Sequence, residues 1–196
     1  MERHERMERR KIYLAGPEVF LPDALAQGAR KKRLCEEFGF QGLFPLDNEI
    51  EKTPAVDMAR AIYRANCALM READLIIANL TPFRGVSADV GTAFELGMVA
   101  GMGKPVVGYT NVAANLLERA KMSLPGVGYD VARGAWVDNL GMVIEDFDGA
   151  DNLMLDMGLD EGGMPIVRLD VPAAERFTNL EAFVICLRLA RSFFAS

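Results

Sequence analysis

The sequence contains almost no histidine. Its single histidine, His4, lies in the charged opening segment MERHERMERRK. A Ser-His-Asp or Cys-His catalytic apparatus therefore cannot be assembled from this chain, and neither can a metal site built from histidines. If the protein is an enzyme that works near neutral pH, its acid–base groups must be carboxylates, hydroxyls or lysines.

Cysteine and long apolar runs are also scarce. The three cysteines, Cys35, Cys67 and Cys186, are widely spaced and form no C-x-x-C motif. Such thiols are typical of a reduced, cytoplasmic protein, in which disulfides are rare. No apolar run approaches the roughly 20 residues that span a bilayer, and the charged opening lacks the apolar segment of a secretory signal. We therefore expect a cytoplasmic protein that does not enter a membrane.

Positive charge is limited, which narrows the possible partners. Lys and Arg number 22 against 28 Asp and Glu, giving a formal net charge of −6, and the longest basic run beyond the first eleven residues is the short stretch Arg30–Arg33. Nucleic acids and anionic membranes need a concentrated Lys/Arg surface, so neither is an expected partner. The chain also has no G-x-G-x-x-G after its first predicted strand and no P-loop lysine, so a dinucleotide cofactor is not expected.

The pattern that remains is that of an α/β protein. Residues 1–10 are expected to form a flexible N-terminal segment, and residues 11–196 a single domain. Buried strands are predicted at 11–15, 42–44, 74–80 and 105–109, with helices at 22–38, 56–73 and 90–100 between them. This alternation predicts a Rossmann-like or flavodoxin-like sandwich with a central parallel sheet of about five strands.

The region 111–164 is harder to interpret, because it is rich in Gly and Met and has only scattered apolar runs. A loop of this length inside a compact domain is usually functional or packs on a partner. Beyond it, residues 165–169 could form the last strand and 179–194 a closing helix.

The stretch DVGTAFELG (89–97) follows a strand that is expected to be buried. Ligands of open parallel sheets bind where the strands end, so Asp89 and Glu95 are expected at the rim of a cleft. A helix starting near Val90 would favour an ionised Glu95. The alternative, which spacing alone leaves open, is that Asp89 is simply an N-cap and Glu95 a solvated helix residue.

Six motifs decide between these interpretations. The chain resembles the nucleoside 2-deoxyribosyltransferase family in a series of motifs that occur in family order, namely IYLAGPEVF (12–20), PLDNE (45–49), ADLIIANLTPFRG (73–85), DVGTAFELG (89–97), GKPVV (103–107) and NLM (152–154). The resemblance covers most of the chain after Arg10 and favours a functional Glu95.

The resemblance implies a role for each matching catalytic position. Glu95 matches the nucleophile that attacks the anomeric carbon of deoxyribose, and Tyr13 matches the tyrosine whose hydroxyl holds that carboxylate. Asp89 matches a carboxylate that binds sugar hydroxyls. The family needs no metal or organic cofactor, so none is expected here.

Substrate contacts are implied at further positions. Gly16 lies in the matching loop after the first strand, and Glu49 occupies a position that reads the nucleobase edge. Asn66 stands where some members carry an aspartate near the leaving base, and this departure leaves the general acid open. Asn152 and Met154 match residues that reach into a neighbouring subunit's pocket, which implies a homodimer or higher homo-oligomer with shared sites.

The resemblance thus implies cleavage of the N-glycosidic bond of 2′-deoxyribonucleosides, with deoxyribose passed through a glutamate ester to an acceptor nucleobase. A hydrolase that uses water as the acceptor is an alternative, acting on nucleosides or on 5′-monophosphates. Phosphate is disfavoured by Glu18 and Asp23 in the first-strand loop, unless Arg84 points inward. A non-catalytic nucleoside or nucleotide sensor is the alternative from another class.

Overall fold

The computed structural model describes residues 9–48 and 54–195 of the chain. Most of the segment expected to be flexible, and Glu49, lie outside these residues. The strands are β1 (Lys11–Ala15), β2 (Gln41–Leu43), β3 (Leu75–Asn79), β4 (Val106–Thr110), β5 (Gly128–Asp130), β6 (Ala135–Val137), β7 (Val143–Ile144) and β8 (Val167–Arg168). The α-helices are α1 (Ala24–Glu37), α2 (Ala55–Glu72), α3 (Val90–Gly101), α4 (Leu116–Ser123), α5 (Leu153–Asp160) and α6 (Glu181–Ala195).

A five-stranded parallel sheet forms the centre of the fold, in the order β2-β1-β3-β4-β8. The predicted sandwich and its strand number are therefore confirmed. Every residue of β3 and β4 is buried, as expected for inner strands that are covered on both faces by helices. The edge strand β8 is only two residues long, shorter than the predicted 165–169.

Alternation along β1 assigns its side chains to two apolar layers. Ile12 and Leu14 pack in one layer, together with residues of α6 such as Phe183. Tyr13 and Ala15 face the other layer, which includes Leu96 of α3 and further residues of α2 and α5. Tyr13 therefore lies under the helix that carries Glu95.

The region 111–164 is more regular than the sequence predicts. It contains α4, α5 and a separate antiparallel sheet in the order β5-β6-β7. Gly134 and Gly141 lie in the two turns that join these strands, with φ of 63° and 75°, a backbone region that glycine enters without steric cost. The Trp136 ring packs edge-on against Tyr129, and the Lys121 ammonium lies 3.5 Å from the Trp136 ring centroid.

Among the helices of the described part of the chain, we find none with the length and apolar character that a bilayer crossing requires.

Candidate active site

Tyr13 and Glu95 meet between the sheet and α3, although 82 residues separate them in sequence. The Tyr13 hydroxyl donates a hydrogen bond of 2.6 Å to Glu95 Oε1. Tyr13 is completely buried, whereas Glu95 is partly accessible. Burial raises the pKa of Tyr13 far above its usual value, and the neighbouring Glu95 charge raises it further. Tyr13 therefore remains a neutral donor that fixes one oxygen of the Glu95 carboxylate.

Asp89 begins the helix that carries Glu95. Its Oδ2 accepts a hydrogen bond of 2.9 Å from the Thr92 backbone N–H and one of 3.1 Å from the Thr92 hydroxyl. Asp89 is thus an N-cap, and its side chain also lines the cavity that contains Glu95. Both bonds fall on one oxygen, so the other remains available to a ligand hydroxyl.

The pKa of Glu95 is raised from 4.5 to about 7. Burial is the largest cause, because it disfavours the charged carboxylate, and the nearby negative charge of Asp89 acts in the same direction. Hydrogen bonds from Tyr13 and Asn66 favour the charged form and lower the pKa. The balance leaves Glu95 partly ionised near neutral pH, in a range where nucleophilic and acid–base roles are both accessible.

A cavity of about 430 Å³ opens beside these carboxylates, a volume within the range of small-molecule sites. Its apolar wall is formed by Val19, Phe20, Pro45, Leu46, Met58 and Ile62. Its polar wall is formed by Asn48, Asn66, Asp89, Thr92 and Glu95. One apolar side and one polar side suit a ligand that joins a flat aromatic ring to a hydroxylated sugar.

Gly16 also lines this cavity, and steric crowding leaves no room for a side chain at this position. A Cβ atom at this position would lie 2.8 Å from Asn79 Cβ and still closer to the Glu18 carboxylate. The chain can therefore pass over these two buried residues only if position 16 is glycine. Gly16 shapes the cavity through its backbone.

Glu18 is a buried residue whose setting was misjudged from sequence. Its Oε1 accepts hydrogen bonds from Lys31 Nζ at 2.7 Å, Asn79 Nδ2 at 3.0 Å and the Tyr109 hydroxyl at 3.0 Å. Glu18 and Lys31 are both essentially inaccessible to solvent. Because the Lys31 charge offsets that of Glu18, Glu18 repels a phosphate less than its charge alone would suggest.

A sequence signal for Lys31 did exist. Gln27, Lys31 and Cys35 are spaced four residues apart on α1 and are all buried, so they share one inward helix face. The partner of Lys31 could not be identified in this way, because the contact with Glu18 depends on tertiary structure.

An aromatic cluster at the cavity rim was also missed. The rings of Phe20 and Phe83 stack with centroids 5.3 Å apart, and Phe177 meets Phe83 edge-on. The exposed Arg84 guanidinium lies 5.0 Å from the Phe20 centroid and 4.6 Å from that of Phe83. Since Phe20 forms part of the apolar wall, Arg84 places a positive charge near the entrance.

Comparison with known proteins identifies the family of this chain. Residues 12–154 match the family described as nucleoside 2-deoxyribosyltransferase. An uncharacterized protein of Schizosaccharomyces pombe is 32% identical over 142 residues, which span 70% of this chain and 67% of the relative. The chain belongs to the nucleoside 2-deoxyribosyltransferase family.

Solved structures agree with the nucleoside 2-deoxyribosyltransferase assignment. A 2-desoxiribosyltransferase from Leishmania mexicana is 28% identical, with a TM-score of 0.58 over 87% of this chain and 96% of that one. A conserved protein from Enterococcus faecalis V583 shares the fold at 18% identity, with a TM-score of 0.54 over 93% of this chain and 99% of that one.

The structure brings together five of the positions singled out by resemblance to the nucleoside 2-deoxyribosyltransferases. The cavity is lined by Gly16, Asn66, Asp89 and Glu95, and the Tyr13 hydroxyl donates a hydrogen bond to Glu95. The predicted nucleobase contact at position 49 lies outside the described residues.

Asn152 and Met154 do not line this cavity. Asn152 caps α5 by accepting a hydrogen bond from the Met154 backbone N–H, and its amide donates to Glu145 at 2.6 Å. The side chain of Met154 is largely exposed. That Asn152 and Met154 reach into the pocket of a neighbouring subunit remains a prediction.

Proposed function

We propose that the protein cleaves the N-glycosidic bond of 2′-deoxyribonucleosides and transfers deoxyribose to an acceptor nucleobase, through an ester on Glu95. The observation that carries this proposal is the 2.6 Å hydrogen bond from the Tyr13 hydroxyl to Glu95, a cavity residue. Membership of the nucleoside 2-deoxyribosyltransferase family and the similarity to the Leishmania mexicana enzyme support it.

In the first step, the ionised Glu95 attacks the anomeric carbon as the bond to the base breaks, and the base leaves with the bonding electron pair and takes up a proton from solvent. Tyr13 occupies Oε1, so Oε2 is the oxygen that forms the new bond. The carboxylate also stabilises the positive charge that develops on the sugar, as in retaining glycosidases. In the second step, a nitrogen of another base attacks the same carbon, the ester bond to Glu95 breaks, and the incoming nitrogen loses its proton to solvent, which regenerates the Glu95 carboxylate.

Asp89 and Asn66 complete the sugar side of the cavity. The free oxygen of Asp89 is suited to accept a hydrogen bond from a sugar hydroxyl. Asn66 hydrogen-bonds to Glu95 and lowers its pKa. An amide does not ionise, so Asn66 helps to keep the nucleophile charged and does not supply the proton that the leaving base needs.

The choice between transfer and hydrolysis is tested by the acceptor. A 2′-deoxynucleoside is incubated with the protein, with and without a second free base, and products are separated by chromatography. We expect a new deoxynucleoside when the second base is present. Release of free deoxyribose at the same rate in both reactions, with no new nucleoside, would indicate the hydrolase instead.

The sensor hypothesis is tested with Glu95→Ala. An enzyme should lose its rate by orders of magnitude, because no nucleophile remains. A sensor has no reaction to lose, and both the original protein and the variant would bind the nucleoside without consuming it.

Deoxynucleoside 5′-monophosphates are a second candidate substrate class, which the position of Arg84 favours. Its guanidinium lies over the rings of Phe20 and Phe83 and forms no ion pair with the described residues. With Glu18 neutralised by Lys31, a phosphate near this rim meets less repulsion than the sequence suggested.

We expect Arg84→Met to separate the two substrate classes. Methionine retains an apolar stem over the rings but removes the charge, so kcat/KM for a 5′-monophosphate should fall about tenfold while that for the nucleoside changes little. Arg188→Met is the control, because Arg188 is an exposed residue of α6 away from the cavity. Equal effects of Arg84→Met on both substrates would rule out phosphate recognition by this residue.

A further inference from the structure

One buried carboxylate connects two segments that, by the family resemblance, belong to different active sites of a dimer. Asp151 is only 2% exposed. Its Oδ2 accepts a hydrogen bond of 2.9 Å from the Ala88 backbone N–H, and its Oδ1 accepts one of 2.9 Å from the Asn152 backbone N–H. The side chain therefore joins loop 86–89 to the start of α5.

Arg119 of α4 supplies the matching positive charge. Its Nη2 lies 3.3 Å from Asp151 Oδ2, and the arginine is 5% exposed. The same guanidinium donates from Nε to the Val86 carbonyl at 2.7 Å and from Nη1 to the Ala114 carbonyl at 2.6 Å. All three guanidinium nitrogens are used, so the ion pair fixes three chain segments relative to one another.

Both joined segments lead directly to residues of the proposed site. Ala88 precedes Asp89, the N-cap of the helix that carries Glu95. Asn152 is the N-cap of α5, whose first turn contains Met154. Hydrogen bonds from both backbone N–H groups end on this single carboxylate, so we expect a displacement of either segment to disturb the other.

We propose that Asp151 is a positioning residue that serves two active sites at once. It holds Asp89 and Glu95 in place in its own subunit, and it sets the segment that carries Asn152 and Met154 for the neighbouring subunit. The inference rests on the proposed function and on the shared-site dimer that the family resemblance implies. Asp151 does not line the cavity that contains Glu95, so in this proposal it acts through the two backbone segments.

The variant Asp151→Asn tests this role with almost no change of shape. An amide NH₂ replaces one carboxylate oxygen and then faces a backbone N–H or the Arg119 guanidinium, so at least one bond is lost. We expect kcat/KM to fall about tenfold or more, since small displacements of catalytic groups are costly. The matched control is Asp74→Asn, because Asp74 also accepts from a backbone N–H, that of Lys11, and from an arginine, Arg10.

Mixed dimers show which sites are affected. In the first mixed dimer, one subunit carries Glu95→Ala and the other carries Asp151→Asn. The only intact Glu95 is then in the Asp151→Asn subunit, beside that subunit's altered loop 86–89. In the second mixed dimer, one subunit is unsubstituted and the other carries both substitutions, so the intact Glu95 faces the altered α5 segment of its partner. Both dimers should be slower than a reference dimer of original and Glu95→Ala subunits. A loss in only one of them would overturn the proposal.

A measurement that does not depend on catalysis tests the role of Asp151 separately from the proposed reaction. In hydrogen exchange followed by mass spectrometry, Asp151→Asn should speed exchange of peptides covering 86–90 and 150–154, and Asp74→Asn should not. If neither or only one peptide responds, the proposal fails even in an active enzyme. If the original protein is inactive but both peptides respond, the coupling stands and the proposed reaction fails. Should Asp151→Asn not fold, Arg119→Lys, which loses bonds to the same loop, is subjected to the same comparisons.

Discussion

At the scale of single residues, the central feature is a carboxylate whose ionisation is finely balanced. Burial and the charge of Asp89 raise the pKa of Glu95 to about 7, and hydrogen bonds from Tyr13 and Asn66 oppose that rise. In the proposed mechanism, such a carboxylate is charged when it attacks and still basic enough to form a bond to carbon. The proposal therefore gives the hydrogen bond from Tyr13 a chemical role as well as a structural one.

The pH dependence of the reaction follows from this balance. Only ionised Glu95 attacks, so kcat/KM should increase as pH rises through about 7. Tyr13→Phe removes a hydrogen bond that stabilises the charged form, so the pKa should rise and the increase should shift to higher pH. The measurement is a pH–rate profile of both proteins, with Tyr129→Phe, a hydroxyl on β5, as the control. An unshifted profile for Tyr13→Phe would show that the hydroxyl does not tune Glu95.

At the scale of elements, the cavity depends on how α2 is held against the sheet. This helix contributes Met58, Ile62 and Asn66 to the cavity walls. At its C-terminal end, Lys104 Nζ donates to three carbonyls, those of Met70 at 3.0 Å, Arg71 at 2.6 Å and Ala73 at 2.5 Å. A cation at this position satisfies carbonyls that the helix leaves unpaired and interacts favourably with the helix dipole.

Lys104→Met should therefore destabilise the fold. We expect a loss of about 1–2 kcal/mol in the free energy of unfolding, since the carbonyls lose their shared donor. Lys32→Met removes the same charge from a more exposed pair with Asp47 and should cost less than about 1 kcal/mol. Denaturant unfolding of both variants makes the comparison. Equal losses of unfolding free energy in the two variants would mean that the Lys104 charge does not specifically stabilise the C-terminal end of α2.

The elements differ in how well the sequence predicts them, and the reason is physical. Strands β3 and β4 are buried along their whole length, so they appear as apolar runs. Strands β5 to β7 have two or three residues each and are exposed or half-buried, so no periodic signal marks them. The antiparallel sheet was missed for this reason.

The candidate site shows the same limit. Asp89 and Glu95 stand out in sequence because small residues, Gly91, Thr92 and Ala93, lie between them soon after an apolar strand. No spacing relates Tyr13 to Glu95, 82 residues away, and only the family resemblance connected them. The pair Glu18 and Lys31 was misjudged because burial of two opposite charges depends on packing that composition does not reveal.

At the scale of the whole molecule, the surface around the start of α5 is the candidate contact with a second subunit. Around the start of α5, Met154 is 73% exposed and Phe147 is 70% exposed. Beside them lies a second cavity of about 290 Å³, whose walls include Leu153 and Met157. Neighbouring exposed apolar groups are typical of interaction surfaces, and the family resemblance predicts a second copy of the chain as the partner.

We expect Asn152→Ala to slow the reaction without dissociating the dimer. The substitution removes the α5 N-cap and the amide proposed to reach the partner's cavity, whereas the apolar surface is unchanged. Sedimentation velocity should report the same dimer for both proteins, and kcat/KM should fall about tenfold or more. Asn115→Ala, which removes the comparable N-cap of α4, is the control. A monomeric original protein with full activity would exclude shared sites.

The most direct test of the account is mass spectrometry of the protein mixed with a 2′-deoxynucleoside in the absence of an acceptor base. After an acid quench and proteolysis, the account predicts one deoxyribosyl group attached to Glu95, together with one equivalent of released base, and no such product from Glu95→Ala. Attachment at a different residue, or release of base by Glu95→Ala at the original rate, would contradict it.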